Sequence, residues 1–235
     1  MSNNLSSSAP EPDPLTIVPV HDKATHQAFL QLPWRLYQDD PNWVPPLLLE
    51  QEKIFAPDNP FFEHARCQRW LALRGAIPVG RISAQIDQLH LKEHQDGAGF
   101  FGMLEAEDQE ETFKALFEAA ETWLRDAGLR RILGPFNLSI NQECGMLVEG
   151  FETRPSMLMG HAWPYMARRV EQNGYIKEQD LIAYMISAAA ASTPIRTLVL
   201  KKTARRISTR TVSGKRFQQE LALVFRFHAL GHQAQ

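Results

Sequence analysis

The spacing of hydrophobic and polar residues predicts an α/β chain. Short apolar runs at 15–20, 68–74 and 77–87 have the length and bounding residues of strands, and Gly75 between the last two predicts a hairpin. From Phe113 to Ala127 apolar residues recur at steps of three and four, which predicts an amphipathic helix closed by Gly128. Further strands are predicted at 99–105, 129–137 and 175–186, and further helices at 22–37 and 161–173. This order of elements is typical of a layered α/β fold.

Three local patterns give finer expectations. In 77–87 the apolar residues alternate with Arg81, Ser83 and Gln85, which predicts one core face and one solvated face. Asp108 with Glu111 three residues later predicts a capping box for the amphipathic helix. The proline-rich segment 39–59 predicts a long structured loop, either a functional lid or a loop packed by its own aromatic residues.

The segment 134–151, GPFNLSINQECGMLVEGF, has the polar side chains of a site and no helical periodicity. Asn137, Ser139 and Asn141 are two residues apart, so an extended backbone would direct all three to one face. An edge strand with ordinary solvated polar residues is the alternative.

Composition limits the class of protein. The 235 residues are 44% hydrophobic and contain two cysteines, which predicts one domain or slightly more and a reduced, cytoplasmic setting. Residues 1–14 predict a disordered tail and no signal peptide, and no run of residues is long and apolar enough for a membrane span. His90 and His94 lack a third ligand of suitable type nearby, so no metal is expected.

The net charge of −2 conceals an asymmetry. Residues 193–235 carry nine Lys or Arg and one acid, giving +8, whereas the preceding residues carry 16 basic and 26 acidic side chains, giving −10. Such a basic segment can be a nucleic-acid or membrane arm, or the start of a second domain that the chain does not complete. No recognised nucleic-acid motif accompanies it, so we expect no specific nucleic-acid partner.

The polar block, with FFGMLEAEDQEETFKALFEAAETWLRDAG before it and PYMARRVEQNGYIKEQDLIAY after it, resembles a bacterial branch of the GNAT-type acyl-CoA N-acyltransferases from about residue 15 to 184. Some relatives in this branch are implicated in attaching fatty acyl chains to sphingoid bases. The resemblance implies a GNAT-like mixed central sheet flanked by helices, an acyl-CoA cosubstrate with no permanently bound cofactor, and an amine acceptor that can be lipid-like.

The resemblance also predicts the domain organisation. It implies a tail at 1–14, the acyltransferase domain at 15–187, and a truncated, basic start of a second GNAT-like lobe at 188–235. The expected function is acyl-CoA-dependent transfer to an amine, with loss of activity through truncation left open. The alternatives are a degenerate GNAT fold that binds without catalysis, and an accessory nucleic-acid binder acting through the basic tail.

One turn departs from the GNAT pattern. In GNAT enzymes a glycine-rich turn holds the CoA pyrophosphate at a helix N-terminus, where free amides and the helix dipole attract phosphate. Here the turn is 105–111, EAEDQEE, with no glycine and five carboxylates that we expect to satisfy the helix end themselves. Either the phosphates are held elsewhere, by Arg130, Arg131, Arg168 or Arg169, or CoA is not the donor.

Acyl transfer to an amine requires a proton acceptor, donors for the thioester oxygen and a proton for the leaving thiolate. Glu143 and Glu149 are the candidate acceptors, with ordinary surface charge as the alternative. Tyr165 is the candidate thiolate donor, although core packing would also explain it. By analogy the strand amides near Met103, Leu104 and Glu105 polarise the carbonyl, and together with Asn137, Ser139 and Asn141 they form the predicted acyl-CoA site.

Overall fold

A computed structural model describes residues 13–185, 187, 214–216 and 219 of the chain. The chain divides into two compact units between Leu181 and Ile182, and the architecture below is that of the first unit. Apart from a 3₁₀ turn at Gly214–Arg216 and single residues, the predicted second-lobe segment lies outside the described residues. So does the predicted tail, except for its last two residues. In the part of the chain that is described, no helix is long and apolar enough to cross a membrane.

A five-stranded sheet organises this unit, and its strands lie in the same order in space as along the chain. Each pair of neighbouring strands from the first to the fourth is antiparallel, and the fifth strand is parallel to the fourth. The strands are β1 Leu15–Pro19, β2 Ala65–Arg74, β3 Ile77–Asp87, β4 Ala98–Ala106 and β5 Arg131–Leu133. The mixed sheet confirms the predicted α/β class, and β2 and β3 confirm the predicted hairpin.

Five α-helices accompany the sheet in the described residues. They are α1 Lys23–Leu36, α2 Leu48–Ile54, α3 Gln88–His94, α4 Glu110–Asp126 and α5 Tyr165–Gln172, with a 3₁₀ helix at Pro60–Glu63. Asp22 begins α1 with a capping box, in which its carboxylate accepts from the Thr25 amide at 2.8 Å. The predicted capping box on α4 is wrong. Its N-cap is Gln109, which makes no side-chain capping bond, because the Asp108 carboxylate is directed to arginines of α5.

The apolar stripe predicted on α4 is confirmed. Phe113, Leu116, Phe117, Ala120 and Leu124 are buried and belong to one core cluster with the apolar face of β3. The ring of Phe117 packs edge-on against that of Phe101 in β4 at 5.3 Å between centroids. Gly128 follows the helix with φ +85°, a backbone conformation that favours glycine.

The opposite face of β3 corrects the sequence-based expectation. Arg81, Ser83 and Gln85 are buried, although the alternation predicts a solvated face. Arg81 Nη1 donates to the carbonyl oxygen of Phe29 in α1 at 2.6 Å, and Gln85 Nε2 donates to the carbonyl oxygen of Phe136. Both sheet faces are therefore covered, one by α4 and one by α1 and the segment after β5. The polar face of β3 is therefore buried, and its Arg81 lies at the floor of the candidate site.

Other boundaries also differ from the prediction. The strand predicted at 129–137 ends at Leu133, and 175–185 contains no strand. The segment 39–59 contains α2, and the polar stretch after β3 forms α3. These elements depend on side-chain contacts beyond their own segments; His90 of α3, for example, pairs with Asp96 at 3.2 Å.

Candidate functional site

A recess of about 110 Å³ opens beside the C-terminal half of β4. Its walls come from β4, the polar block after β5, the proline-rich segment before α2 and the segment leading into α5. It collects five of the predicted site residues, which are Met103, Leu104, Glu105, Asn137 and Glu143. Segments that are distant in sequence therefore meet at one point of the sheet.

A bulge in β4 shapes the recess. Arg81 lies opposite Glu105 and Ser83 lies opposite Gly102, so Met103 and Leu104 together face a single residue of β3. Met103 has φ +47°, and such an extra residue bends a strand and interrupts the ladder of hydrogen bonds. The amide of Met103 donates to Oδ1 of Asn137 at 2.8 Å. Its N–H is therefore already occupied in this structure.

The polar block after β5 is fixed by backbone contacts rather than by a strand. The amide of Phe136 donates to the Phe101 carbonyl at 2.7 Å, and the amide of Asn137 donates to the Glu143 carbonyl at 2.9 Å. Between Asn137 and Glu143 the chain reverses direction. Leu138 in this stretch is buried and has φ +77°. The main chain of Gly102 touches this segment so closely that a Cβ there would overlap the Phe136 carbonyl oxygen.

This turn overturns the prediction that Asn137, Ser139 and Asn141 share one face. A left-handed residue and a tight turn at 139–142 break the alternation that an extended backbone would give. Asn137 points to the β4 bulge, whereas Asn141 is exposed and donates its amide to Ser139 Oγ at 3.3 Å. Ser139 and Asn141 do not line the recess within the described part of the chain.

Charged groups concentrate at the floor of the recess. The guanidinium of Arg81 pairs with the carboxylate of Glu105 and lies 5.0 Å from the ring centroid of Phe29. Glu143 Oε2 accepts a hydrogen bond from Asn137 Nδ2 at 2.9 Å. Burial and, secondarily, the negative charge of Glu105 raise the pKa of Glu143, against the lowering effects of Asn137 and Arg81. Such a carboxyl group is a stronger base than an exposed glutamate.

The other two catalytic candidates lie outside this cluster. Glu149 is exposed near the end of the polar block, and it does not contribute to the recess as far as the described residues show. Tyr165 is the first residue of α5, and its hydroxyl donates to the Ala106 carbonyl at 2.7 Å. Burial, followed by the charges of Asp108 and Glu105, raises the pKa of Tyr165. The Tyr165 hydroxyl therefore contacts the end of β4 and, as far as the described residues show, does not line the recess. The next residue, Met166, does line it.

The acidic turn after β4 is neutralised by arginines. Arg74 pairs with Glu107 at 2.8 Å and Glu111 at 2.6 Å, and Arg169 pairs with Asp108 at 2.6 Å. The carboxylates that these arginines bind do not cap α4, whereas Glu110 and Glu111 lie in its first turn, as the expected interaction with the helix dipole requires. Arg168 and Arg169, two of the candidate phosphate ligands, are both engaged by Asp108.

Sequence reasoning missed Arg81, Asp40 and His161. Arg81 belongs to a strand face predicted to be solvated, so its burial became visible only in the folded chain. Nε2 of His161 lies 2.8 Å from Oδ2 of Asp40, and His161 also lines the recess. No signal in the sequence could have joined these two residues, because 120 others separate them.

Sequence comparison finds relatives of this chain in bacteria. Over 172 residues it is 51% identical to bacterial ceramide synthase of Caulobacter vibrioides (strain NA1000 / CB15N), a match that covers 72% of this chain and 45% of that protein. Over 199 residues it is 40% identical to protein YghO of Escherichia coli (strain K12), covering 84% and 51%. The resemblance to the bacterial branch of GNAT-type N-acyltransferases is confirmed. The chain spans about half the length of the curated relatives it matches.

Comparison with solved structures finds a tandem GNAT protein from the clavulanic acid biosynthesis pathway, with a TM-score of 0.46 and 16% identity over 68% of this chain and 43% of that one. An aminoglycoside acetyltransferase from an uncultured soil metagenomic sample has a TM-score of 0.46 and 11% identity over 74% and 95%. No family model matches the chain.

Proposed function

We propose that this domain is an acyl-CoA-dependent N-acyltransferase that transfers an acyl group to an amine. The observation that carries the proposal is the recess at the β4 bulge, where Glu143 has a raised pKa beside the buried Arg81–Glu105 pair. The similarity to a protein named bacterial ceramide synthase supports the same class of reaction and suggests a long-chain acyl donor and a lipid-like amine.

In this mechanism the amine arrives as an ammonium ion, and the Glu143 carboxylate removes one proton. The neutral nitrogen attacks the thioester carbonyl, whose oxygen is polarised by bulge amides of β4. The Met103 amide is already donated to Asn137, so the proposal assigns this role to Leu104 and Glu105. The N–C bond forms, the nitrogen loses its second proton, and the C–S bond breaks with its electron pair on sulfur. Tyr165 is assigned the proton that the sulfur takes up, for which its hydroxyl must leave the Ala106 carbonyl. The proton lost by the nitrogen returns to the tyrosinate through solvent, so the step balances.

The proposed donor site extends from the bulge towards the rim of the polar block. Asn137 holds Met103 and Glu143 in place, while Ser139 and Asn141 at the exposed turn are proposed to meet the pantetheine arm. The phosphates are proposed to lie beside Arg168 and Arg169, where they would compete with Asp108. Anion binding at that position requires the arginines to exchange one negative partner for another.

The first test is thermal unfolding of the full chain with CoA, acetyl-CoA or palmitoyl-CoA below micelle formation. A ligand that binds only the folded state stabilises it by RT ln(1 + [L]/Kd), about 2.7 kcal/mol at a hundredfold excess over Kd. We expect palmitoyl-CoA to raise the transition more than acetyl-CoA. Equal shifts would contradict the long-chain preference.

A second test uses thiol release with a primary amine as acceptor. Glu143→Gln is expected to lower kcat by about 10²–10⁴-fold, as loss of a positioned base does. Glu149→Gln distinguishes the two predicted acceptors, because the proposal assigns the proton to Glu143 alone. A larger loss in Glu149→Gln than in Glu143→Gln would overturn the assignment.

The second candidate function is a GNAT fold that binds without catalysis. The observation in its favour is the acidic turn, which has no glycine and whose carboxylates surround the start of α4. A cooperative unfolding transition that no CoA species shifts would favour this function over acyl transfer.

A further inference from the structure

His161 and Asp40 form a buried hydrogen-bonding contact that the proposed reaction does not yet use. Nε2 of His161 lies 2.8 Å from Oδ2 of Asp40, and the two side chains are 6% and 9% exposed. Oδ1 of Asp40 accepts from the amide of Asn42 at 2.8 Å. Burial opposes ionisation of Asp40, but the hydrogen bonds from His161 and the Asn42 amide outweigh it and lower the pKa of Asp40. The aspartate is therefore a carboxylate that accepts from the imidazole.

The contact with Asp40 determines which ring nitrogen of His161 carries the hydrogen and which one is left as an acceptor. A carboxylate on Nε2 favours the neutral tautomer with hydrogen on Nε2, which leaves Nδ1 as an acceptor. Nδ1 is buried and has no hydrogen-bond partner, and it is the one such side-chain atom in the described part of the chain. Buried polar atoms in native proteins almost always have a partner, so an orphaned acceptor on a residue that lines the recess points to a donor supplied by a ligand.

Aromatic packing holds the imidazole in place. Its ring meets that of Tyr37 edge-on, with 5.4 Å between centroids. Tyr37 in turn stacks with Trp43 and with Trp163, at 5.5 and 5.9 Å between ring centroids. Trp163 is anchored by its indole nitrogen, which donates to the Leu36 carbonyl at 3.0 Å. A ring fixed on one side by a carboxylate and on another by stacked aromatics keeps Nδ1 in a constant position, as catalysis requires.

We propose that His161 is a second proton acceptor in the recess, with its Nδ1 taking a hydrogen bond from the acceptor amine and Asp40 acting as its positioning residue. The inference rests on the proposed function, because it requires an amine in the recess that Glu143 also lines. It extends that function by assigning the two protons that the amine loses to two different residues. Glu143 takes the proton that converts ammonium to amine, and His161 takes the one released as the N–C bond forms.

The proton balance closes without a further reactant. Attack on the thioester makes the nitrogen cationic, and its proton passes to Nδ1, giving an imidazolium beside the Asp40 carboxylate. The C–S bond breaks with its electron pair on sulfur, which Tyr165 protonates. The imidazolium then returns its proton to the tyrosinate through solvent. One proton, that of the original ammonium, leaves with Glu143 and is released.

The kinetic test compares His161→Gln with Asp40→Asn in the full chain. The amide nitrogen of Gln occupies a place similar to Nε2 and can still donate to Asp40, but Gln has no basic ring nitrogen. We expect His161→Gln to lower kcat by about 10²–10⁴-fold, with the KM for the acyl-CoA and the melting temperature little changed. If instead His161→Gln keeps kcat within threefold while Asp40→Asn and His161→Phe lower the melting temperature, the contact is only a structural clasp and the proposal is wrong.

A second readout separates this inference from the proposed function. In the chain labelled with ¹⁵N-histidine, NMR is expected to show the His161 signal as the neutral tautomer with an unprotonated Nδ1. That nitrogen should shift on addition of n-butylamine and not on addition of n-butyltrimethylammonium, which has no N–H. A protonated Nδ1, or an Nδ1 signal that n-butylamine does not shift, overturns the inference even if acyl transfer is observed. A chain that binds no CoA thioester but shows the amine-dependent shift would overturn the proposed acyl transfer and leave only the amine contact at His161.

Discussion

Two clusters of arginine and carboxylate lie at the end of β4, and they differ mainly in burial. The recess cluster contains Arg81, Glu105 and Glu143, and the turn cluster contains the three arginines 74, 168 and 169 with the carboxylates of 107, 108 and 111. The Arg81 side chain is 6% exposed, whereas the arginines of the turn cluster range from 15% exposed for Arg169 to 60% for Arg168. Only two residues separate Glu105 from Asp108, so the same stretch of chain contributes to both environments.

The comparison shows why similar charges have different consequences. A buried ion pair loses its hydration, and removal of one partner leaves an uncompensated charge in a medium of low dielectric constant. When an exposed pair is broken, water and ions solvate the two charged groups, so the loss of folding stability is small. The recess cluster can therefore shift the pKa of Glu143, while the turn cluster mainly neutralises a segment that would otherwise repel anions.

The largest expected effect is in the recess cluster. Arg81→Met removes the cation that pairs with Glu105, and we expect it to lower the free energy of unfolding by about 3–5 kcal/mol. Urea denaturation measures the change. The double variant Arg81→Met with Glu105→Gln should recover much of the loss, because it leaves one unpaired carboxylate fewer. A single-variant loss below about 1 kcal/mol would mean that the pair is solvated in solution.

The next effect concerns the contact that holds the polar block on β4. Gly102→Ala adds a Cβ that overlaps the Phe136 carbonyl oxygen, so the block must move, at a cost of about 1–3 kcal/mol. Gly160→Ala is the matched control, since its added Cβ would lie at an ordinary 3.6 Å from the Gly145 oxygen. Equal stabilities of the two variants, measured by urea denaturation, would show that the block is not pinned at Gly102.

A smaller effect appears only as pH changes. Because the pKa of Glu143 is raised in the folded state, the folded chain binds that proton more tightly than the unfolded chain. Wild-type stability therefore decreases as pH rises from the unfolded value of 4.5 through the folded pKa. Glu143→Gln lacks this loss, so its melting temperature relative to wild type should increase between pH 4 and pH 7. A difference that is independent of pH would contradict the burial of this carboxyl group.

The smallest effect on stability is expected in the turn cluster. Asp108→Asn should change the free energy of unfolding by less than about 1 kcal/mol, and salt should reduce the change further. If CoA phosphates bind beside Arg168 and Arg169, this variant should bind CoA more tightly, as calorimetry would measure. Asp180→Asn breaks another exposed pair, with Lys177 at 3.0 Å, and should leave CoA affinity unchanged. Unchanged affinity in both variants would place the phosphates elsewhere.

Local pattern was sufficient for much of the fold. The apolar stripe of α4, the β2–β3 hairpin and β1 follow from periodicities of 3.6 and 2 that operate within a single element. The same reasoning selected Glu143 and Asn137 as candidate site residues, because glycines and polar side chains stood together in the polar block without helical spacing. It could not separate Glu143 from Glu149, since burial depends on which segments fold over each carboxylate.

The sequence by itself determined the main strands and helices, the α/β class and one of the stretches of chain that line the candidate site. Only the tertiary structure decided that the polar face of β3 is buried, that Arg81 pairs with Glu105, and that His161 meets Asp40. The physical reason is the distance along the chain over which each effect operates. Periodicity records how one element divides its residues between two faces, whereas pairing, burial and the resulting pKa shifts arise between segments that the chain brings together only on folding.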